Sequence, residues 1–406
     1  MKKRVAIYNP YLETRGGGEK LSLAIAEYLS SNYEVTLISK SKNNLSKLEE
    51  YFSLDLSKCK LTIIDNKSKF FSRLSARLHF PRRLNSLIGE YYDYKKIKKA
   101  NYDLFINVCY RSNIFPPSKK SIYLCMFPQE FNHNKDSLHR KIYHKLVDVL
   151  EKILYGKAGV NVVRSYTAVV AISSYTKSWI EKYWGIDGDD IPLLYPICEN
   201  MKNSSIKKEK LILNVGRFFS NSGENHHKCQ DKLLEAFREM GELQKSGWRL
   251  CFIGSVAEDT DSLRYFLKLY QDSRDLPVEI ITNTPFSVLK DHFAKASIYW
   301  HATGAGYKEL NHPEKQEHFG ITTIEAMTAG AVPVVINSAG QKETVIDGED
   351  GFLWNNKKEL IDLTYKVANN PELFNKMSKM AEEDAKRFNK ESFEKSLSNI
   401  IKNLYP

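Results

Sequence analysis

The chain has 406 residues, of which 42% are hydrophobic and 27% charged, and it carries a formal net charge of +11. That length fits two domains, and that composition is ordinary for a globular protein whose packed core needs no staples. It excludes a membrane span, because no run approaches the roughly 18–20 apolar residues required; the six cysteines form no CxxC pair, which excludes a zinc or disulfide framework.

Residues 4–8 read as a first buried strand. The apolar run there is too short for a signal-peptide core and is interrupted by Tyr8-Asn9-Pro10, so a cytoplasmic chain is expected. Gly16-Gly17-Gly18 follows, then apolar residues at helical spacing from 19 to 29, then a second strand over 33–39. This strand–helix–strand order favours a parallel sheet covered by helices on both faces. Further strands are expected at 61–64, 104–108, 122–126 and 168–172. A polar stretch over 199–210 reads as a linker. The alternation restarts at 211–215 and continues at 248–253, 278–281, 297–301 and 332–336, and residues 392–404 have a helical apolar pattern. The expected class is α/β with two Rossmann-like halves, 1–198 and 199–390, followed by a terminal helix in 391–406.

Chemistry concentrates in the second half. Glu317 and Glu325 are separated by seven residues, with a glycine turn at Gly320 and a helix opening after it. A helix start at Gly320-Ile321-Thr322 points free amides at a ligand and suits a phosphate. Glu325, about one turn inside the helix, could accept hydrogen bonds from a ribose diol, and Glu317 could reach a sugar. As a bare pair the two would read as solvated surface carboxylates.

Residues 300–353 resemble the donor-site region of family 4 retaining glycosyltransferases of the GT-B fold. The family's E-x7-E pattern stands here as EHFGITTIEAMTAGAVPVV and continues through Ala339-Gly340-Gln341-Lys342-Glu343 and residues 347–353. The resemblance implies two Rossmann-like domains facing each other across a cleft, with the C-terminal helix packing on the N-terminal domain. It implies that Glu317 contacts the donor sugar and is tied to catalysis, that Glu325 holds the ribose, and that the backbone of Gly320, Ile321 and Thr322 faces the diphosphate. Asn214-Val215-Gly216-Arg217 and Lys228 to Phe237 resemble the family's VGR…KGxxxLLxAF, which implies that Arg217 and Lys228 stabilise the leaving diphosphate. Cys229 replaces the usual glycine and the intervening loop is long, so Lys232 stays open as an alternative to Lys228.

Gly16-Gly17-Gly18-Glu19-Lys20 is neither a P-loop nor GxGxxG. It reads as a tight turn or as a close approach of backbone to ligand, and the resemblance places Gly16 and Gly17 near the diphosphate and acceptor. Met126 stands where the family often has a histidine; Glu130 and His133 are polar candidates nearby. Ser173 or Ser174 is the expected cap of a helix. The ten histidines show no metal pattern, His226-His227 flank the phosphate loop, and the resemblance implies neither metal nor cofactor.

Residues 67–99 carry Lys67, Lys69, Arg73, Arg77, Arg82, Arg83, Lys95, Lys96, Lys98 and Lys99 against Glu90 and Asp93, with aromatic and aliphatic residues between them. The readings are a solvated helix face, a contact with an anionic membrane surface, or nucleic-acid binding. No nucleic-acid module is present, so no nucleic-acid partner is expected. The resulting expectation is a retaining hexosyltransferase. It would use a UDP- or GDP-sugar and a glycan or lipid-linked acceptor, cytoplasmic or peripheral on the inner face of the membrane, in bacterial surface-polysaccharide assembly. A catalytically silent sugar-nucleotide-binding protein and a basic nucleic-acid-binding protein are the readings from other classes.

Overall fold

The computed structural model of the protein describes residues 2–14, 16–40, 44–64, 82–110, 112, 114–131, 138–220, 227–256 and 259–405. Among them, the first sheet contains β1 (Arg4–Tyr8), β2 (Glu34–Ser39), β3 (Lys60–Ile63), β4 (Leu104–Asn107), β5 (Lys120–Cys125) and β6 (Ala168–Ala171). All pairings are parallel, in the order β3-β2-β1-β4-β5-β6. The second sheet contains β7 (Glu209–Val215), β8 (Arg249–Gly254), β9 (Val278–Thr282), β10 (Ala296–His301), β11 (Val332–Ile336) and β12 (Phe352–Trp354). It too is parallel, in the order β12-β11-β10-β7-β8-β9.

The α/β class is therefore observed, and the strands read from sequence fall within two residues of those in the structure. β12 was not expected, because three residues carry no periodicity. Strands buried on both faces must be apolar throughout: Val5, Ala6, Ile7 and Tyr8 of β1 are all 0–1% exposed, and every residue of β11 is buried.

The longer helices of the first half are α1 (Gly17–Ser30), α2 (Leu45–Phe52), α3 (Arg82–Ala100), α4 (Leu138–Tyr155) and α5 (Ser174–Trp184). Those of the second are α6 (Gln230–Arg238), α7 (Thr260–Ser273), α8 (Phe286–Lys295), α9 (Ile321–Thr328), α10 (Lys357–Ala368) and α11 (Pro371–Asp384), followed by α12 (Lys390–Leu404). Two compact units result: one runs to Pro196 and includes the chain from Glu394 onward, and the other is Ile197–Phe393. Leu397, Ile400, Ile401 and Leu404 of α12 are buried, and Tyr405 donates to the Asp103 carbonyl at 3.2 Å.

In the first unit, Glu19 accepts the Gly16 N–H at 2.7 Å and so caps α1. A Cβ on Gly18 would stand 2.5 Å from the Met126 methyl, so the thioether that replaces the family's histidine packs on that glycine. Ser173, rather than Ser174, caps α5, accepting the Thr176 N–H at 3.0 Å. Of the basic segment, residues 67–81 lie outside the described residues, as do His133 and His226. The remainder falls in or next to α3. There Asp93 is buried against Lys40 (2.8 Å) and Tyr8 (3.0 Å), and Glu90 against Ser112 (3.1 Å).

Both sheets reverse their strand order beside the first strand of the half: β4 lies across β1 from β2, and β10 lies across β7 from β8. Helices leaving such a pair diverge to opposite faces and open a crevice at the strand C-termini. Close backbone packing supports the second reversal. Gly340 donates to the Glu317 carbonyl at 2.9 Å, and a Cβ on it would stand 2.6 Å from Phe319 backbone atoms. Gly340→Ala should therefore lower stability by about 1–3 kcal/mol. Gly241→Ala, where a Cβ meets nothing within 4 Å, should be neutral or mildly stabilising. Thermal unfolding of the two variants checks this; equal midpoints would contradict it.

Candidate functional site

β7 delivers the first two cations. Beyond its last residue, Gly216 donates to the Ile253 carbonyl at 2.9 Å, and Arg217 emerges exposed with its guanidinium 4.8 Å from the centroid of the Phe219 ring. The stem of Lys228 crosses Gly216: a Cβ there would stand 2.9 Å from Lys228 Cγ. Lys228 Nζ lies 2.7 Å from Glu317 Oε2. Lys232 instead donates to the Ala305 carbonyl at 2.8 Å. Lys228 is thus the lysine that meets Glu317. Cys229 opens α6 at φ +53°, a left-handed conformation that glycine adopts freely, which accounts for the family's usual residue at this position. Here the side chain is buried in the core, 1% exposed, with Sγ 3.3 Å from His227 Nδ1.

β10 delivers the carboxylate's second partner. His301 closes that strand, 2% exposed, with Nε2 at 3.1 Å from Glu317 Oε2 and 3.2 Å from Thr303 Oγ1. Its Nδ1 has no hydrogen-bond partner. Nε2–H therefore donates to the carboxylate and Nδ1 is the bare nitrogen of a neutral ring. Asn214 of β7 donates to the Trp300 carbonyl of β10 at 2.9 Å and ties the two diverging strands together.

The long segment from Ala302 to Gln316 is anchored on the turn after β11. Ser338 donates to Gln316 Oε1 at 2.6 Å, and Glu309 accepts the Ala339 N–H at 3.2 Å and Lys342 at 2.8 Å. With the bond from Gly340, these fix the backbone of Glu317 on both sides.

α9 follows at once. Gly320 precedes it at φ +104°, and no side chain caps the helix. The first-turn N–H groups of Ile321 and Thr322 are consequently presented to whatever occupies the crevice. The Tyr299 hydroxyl donates to Thr322 Oγ1 at 2.7 Å, so the threonine's own O–H is left to point elsewhere. Glu325, on the second turn, is 7% exposed. The second unit thus brings Glu317 and Lys228 together just before Gly320, Ile321 and Thr322, with Arg217 on the segment that follows β7 and Glu325 on the second turn of α9. Gly16 and Gly17 lie in the first unit, at the start of α1.

His301, Thr303 and Tyr299 were not singled out in the sequence. For His301 the signal lies in the strand order: a histidine on the last residue of a strand at the order reversal stands at the crevice. Among the described residues, the group of side chains arranged for a metal is Cys251, Glu279 and His292 on β8, β9 and α8, apart from Glu317. Burial pushes the Cys251 thiol up to about 12, which keeps it protonated.

Burial by itself would raise the Glu317 pKa. The Lys228 ammonium and the His301 hydrogen bond outweigh it and hold the carboxyl well below the ordinary range. Burial also lowers the His301 pKa, against the pull of Glu317, in keeping with the neutral ring. At neutral pH the site therefore offers a fixed anion that accepts hydrogen bonds but does not donate a proton. Titration of 13C-carboxyl-labelled glutamate, assigned with Glu317→Gln, should show Glu317 ionising below the usual value near ~4.3. In Lys228→Met it should shift upward. A wild-type value at or above the ordinary one would contradict this electrostatic assignment.

Residues 198–384 match the family described as glycosyl transferases, group 1. A Dictyostelium discoideum protein named GDP-Man:Man(3)GlcNAc(2)-PP-Dol alpha-1,2-mannosyltransferase is 24% identical over 351 residues, covering 82% of this chain and 59% of its own. Kluyveromyces lactis alpha-1,3/1,6-mannosyltransferase ALG2 is 23% identical over 280 residues, covering 62% of this chain and 53% of its own. The chain thus spans less than two thirds of the length of these relatives. Among solved structures, Anabaena Alr3699/HepE in complex with UDP-glucose superposes with a TM-score of 0.67 at 14% identity, over 98% of this chain and 99% of that one. Sucrose-phosphate synthase from Thermosynechococcus elongatus gives 0.68 at 14% identity, over 100% and 99%. Those likenesses show the fold, which is GT-B. Through residues 198–384, the chain is similar to the group 1 glycosyl transferases.

Proposed function

We propose that the protein transfers a hexosyl group, with retention of anomeric configuration, from a nucleotide-diphosphate sugar to a hydroxyl of a glycan or lipid-linked acceptor. The observation that carries this reading is the Glu317 carboxylate, held between Lys228 and His301 directly before an uncapped helix start. A sugar with hydroxyl donors suits the first element, and a diphosphate suits the second. Lys228 has three donors and uses one on Glu317, so it can hold a phosphate oxygen with another. Arg217 completes the positive side of the leaving group, and Glu325 takes the ribose.

In this mechanism the bond from the anomeric carbon to the diphosphate oxygen breaks, and a bond to the acceptor oxygen forms on the same face. The acceptor proton passes to the departing diphosphate. Arg217 and Lys228 stabilise the charge that grows there, which is where such donors contribute most. Gly16 and Gly17 are assigned to backbone approach near the diphosphate and acceptor. No metal or cofactor has a role in this scheme. The name of the Dictyostelium relative favours GDP-mannose as donor and a lipid-diphosphate-linked glycan as acceptor, and UDP-linked hexoses come second, UDP-glucose being bound by a structural neighbour. Assembly of a bacterial surface polysaccharide is the setting that the lysine-, asparagine- and isoleucine-rich composition suggests. Among the described residues no helix is long and apolar enough to cross a membrane.

Binding and slow hydrolysis of GDP-mannose, UDP-glucose and UDP-N-acetylglucosamine test the reading. One donor should bind and turn over with or without EDTA. Glu317→Ala should lose turnover, and Arg217→Ala and Lys228→Ala should each lower kcat by about 10²–10³-fold. Binding of none of the three, or full turnover in Glu317→Ala, would contradict it.

A further inference from the structure

Ile142, Leu146, Val149 and Ile153 of α4 are 52%, 56%, 47% and 73% exposed. Their spacing of four, three and four residues places them in one row along the helix. At 1.5 Å per residue the row is roughly 17 Å long. Single exposed aliphatic residues are ordinary, but a continuous row of them marks an interaction surface.

The helix is firmly docked by its other face. Val147 is buried with Leu87 of α3, the Tyr155 ring lies 5.5 Å from Tyr91, and Glu151, 1% exposed, accepts the Gly159 N–H at 2.6 Å. The row therefore faces outward on a fixed support.

Charge beside the row indicates what covers it. Lys141, Lys145 and Lys152 are exposed and follow the same helical spacing, so they form a parallel cationic flank, with Asp148 as the exposed acid among them. On α3, Lys95, Lys96 and Lys99 are exposed, whereas Glu90 and Asp93 are buried in the internal contacts given above. A two-fold pairing of this surface with itself would set lysines against lysines. Four aliphatic side chains also offer only a few hundred Å², well short of the roughly 1,000 Å² total that a stable protein interface needs. A fluid anionic surface requires no shape complement, takes aliphatic side chains at shallow depth and pairs with lysines.

We infer that α4 docks on an anionic lipid bilayer, with Ile142, Leu146, Val149 and Ile153 at the headgroup–acyl boundary and the lysine flank against lipid phosphates. This surface is independent of the Glu317 site and of the proposed transfer reaction.

Co-sedimentation of the full chain with phosphatidylcholine vesicles, with and without phosphatidylglycerol, tests it. The wild type should bind only the anionic vesicles, and salt should weaken binding. Ile142→Ser/Ile153→Ser and Lys141→Gln/Lys145→Gln/Lys152→Gln should each reduce the vesicle-bound fraction ratio by about tenfold or more. Thermal unfolding and donor binding should be unchanged, because these side chains are exposed and outside the site. Absence of wild-type binding, or wild-type binding by both variants, would overturn the inference. So would a concentration-dependent self-association that the isoleucine variant removes.

Discussion

The second unit is organised around one topological fact: β10 lies beside β7 on the side away from β8. Two parallel neighbours whose following segments leave toward opposite faces cannot close over their own C-terminal ends. The Asn214–Trp300 hydrogen bond ties the pair where it diverges, so the crevice has fixed walls. The catalytic candidates follow from that position. Arg217 and Lys228 come from the chain beyond β7, while His301, Glu317 and α9 come from the chain beyond β10.

The electrostatics follow from the same walls. A carboxylate that is 18% exposed would be disfavoured as an anion were it alone, and a lysine that is 20% exposed would be disfavoured as a cation. Placed 2.7 Å apart they stabilise each other, and removing either leaves a poorly solvated charge. His301 adds a neutral donor, which orients the carboxylate without cancelling its charge. The pair is therefore preformed, as charge must be if it is to lower a barrier. Backbone anchoring does the same for position: Gly340, Ser338 and Glu309 hold the segment on either side of Glu317.

Most of this architecture is legible in the sequence, for identifiable reasons. Parallel strands buried on both faces are short apolar runs, and eleven of these were readable; β12 was not, because three residues give no pattern. Glu317, Gly320 and Glu325 were legible through the resemblance that their E-x7-E segment carries, since the bare pair reads as surface carboxylates. The choice between Lys228 and Lys232 was not, since one precedes α6 by two residues, the other lies in its first turn, and only three-dimensional distance separates a carboxylate partner from a carbonyl partner. His301 and Tyr299 read simply as core of a strand, because their roles depend on which strand lies alongside and where that strand ends. The departure at Cys229 becomes intelligible only with its backbone angle: the left-handed turn was retained while a buried side chain replaced the glycine. The row on α4 was not read, because exposure, unlike periodicity, requires knowing which face packs on α3.

The central claim is that a sugar nucleotide is held at the β7–β10 divergence. Amide hydrogen–deuterium exchange of the full chain, with and without the donor that binds, tests it most directly. The account predicts slowed exchange confined to residues 216–220, 227–229 and 317–325, and in the first unit at most around Gly16 and Gly17. Protection elsewhere in the second unit, with those segments unchanged, would contradict it.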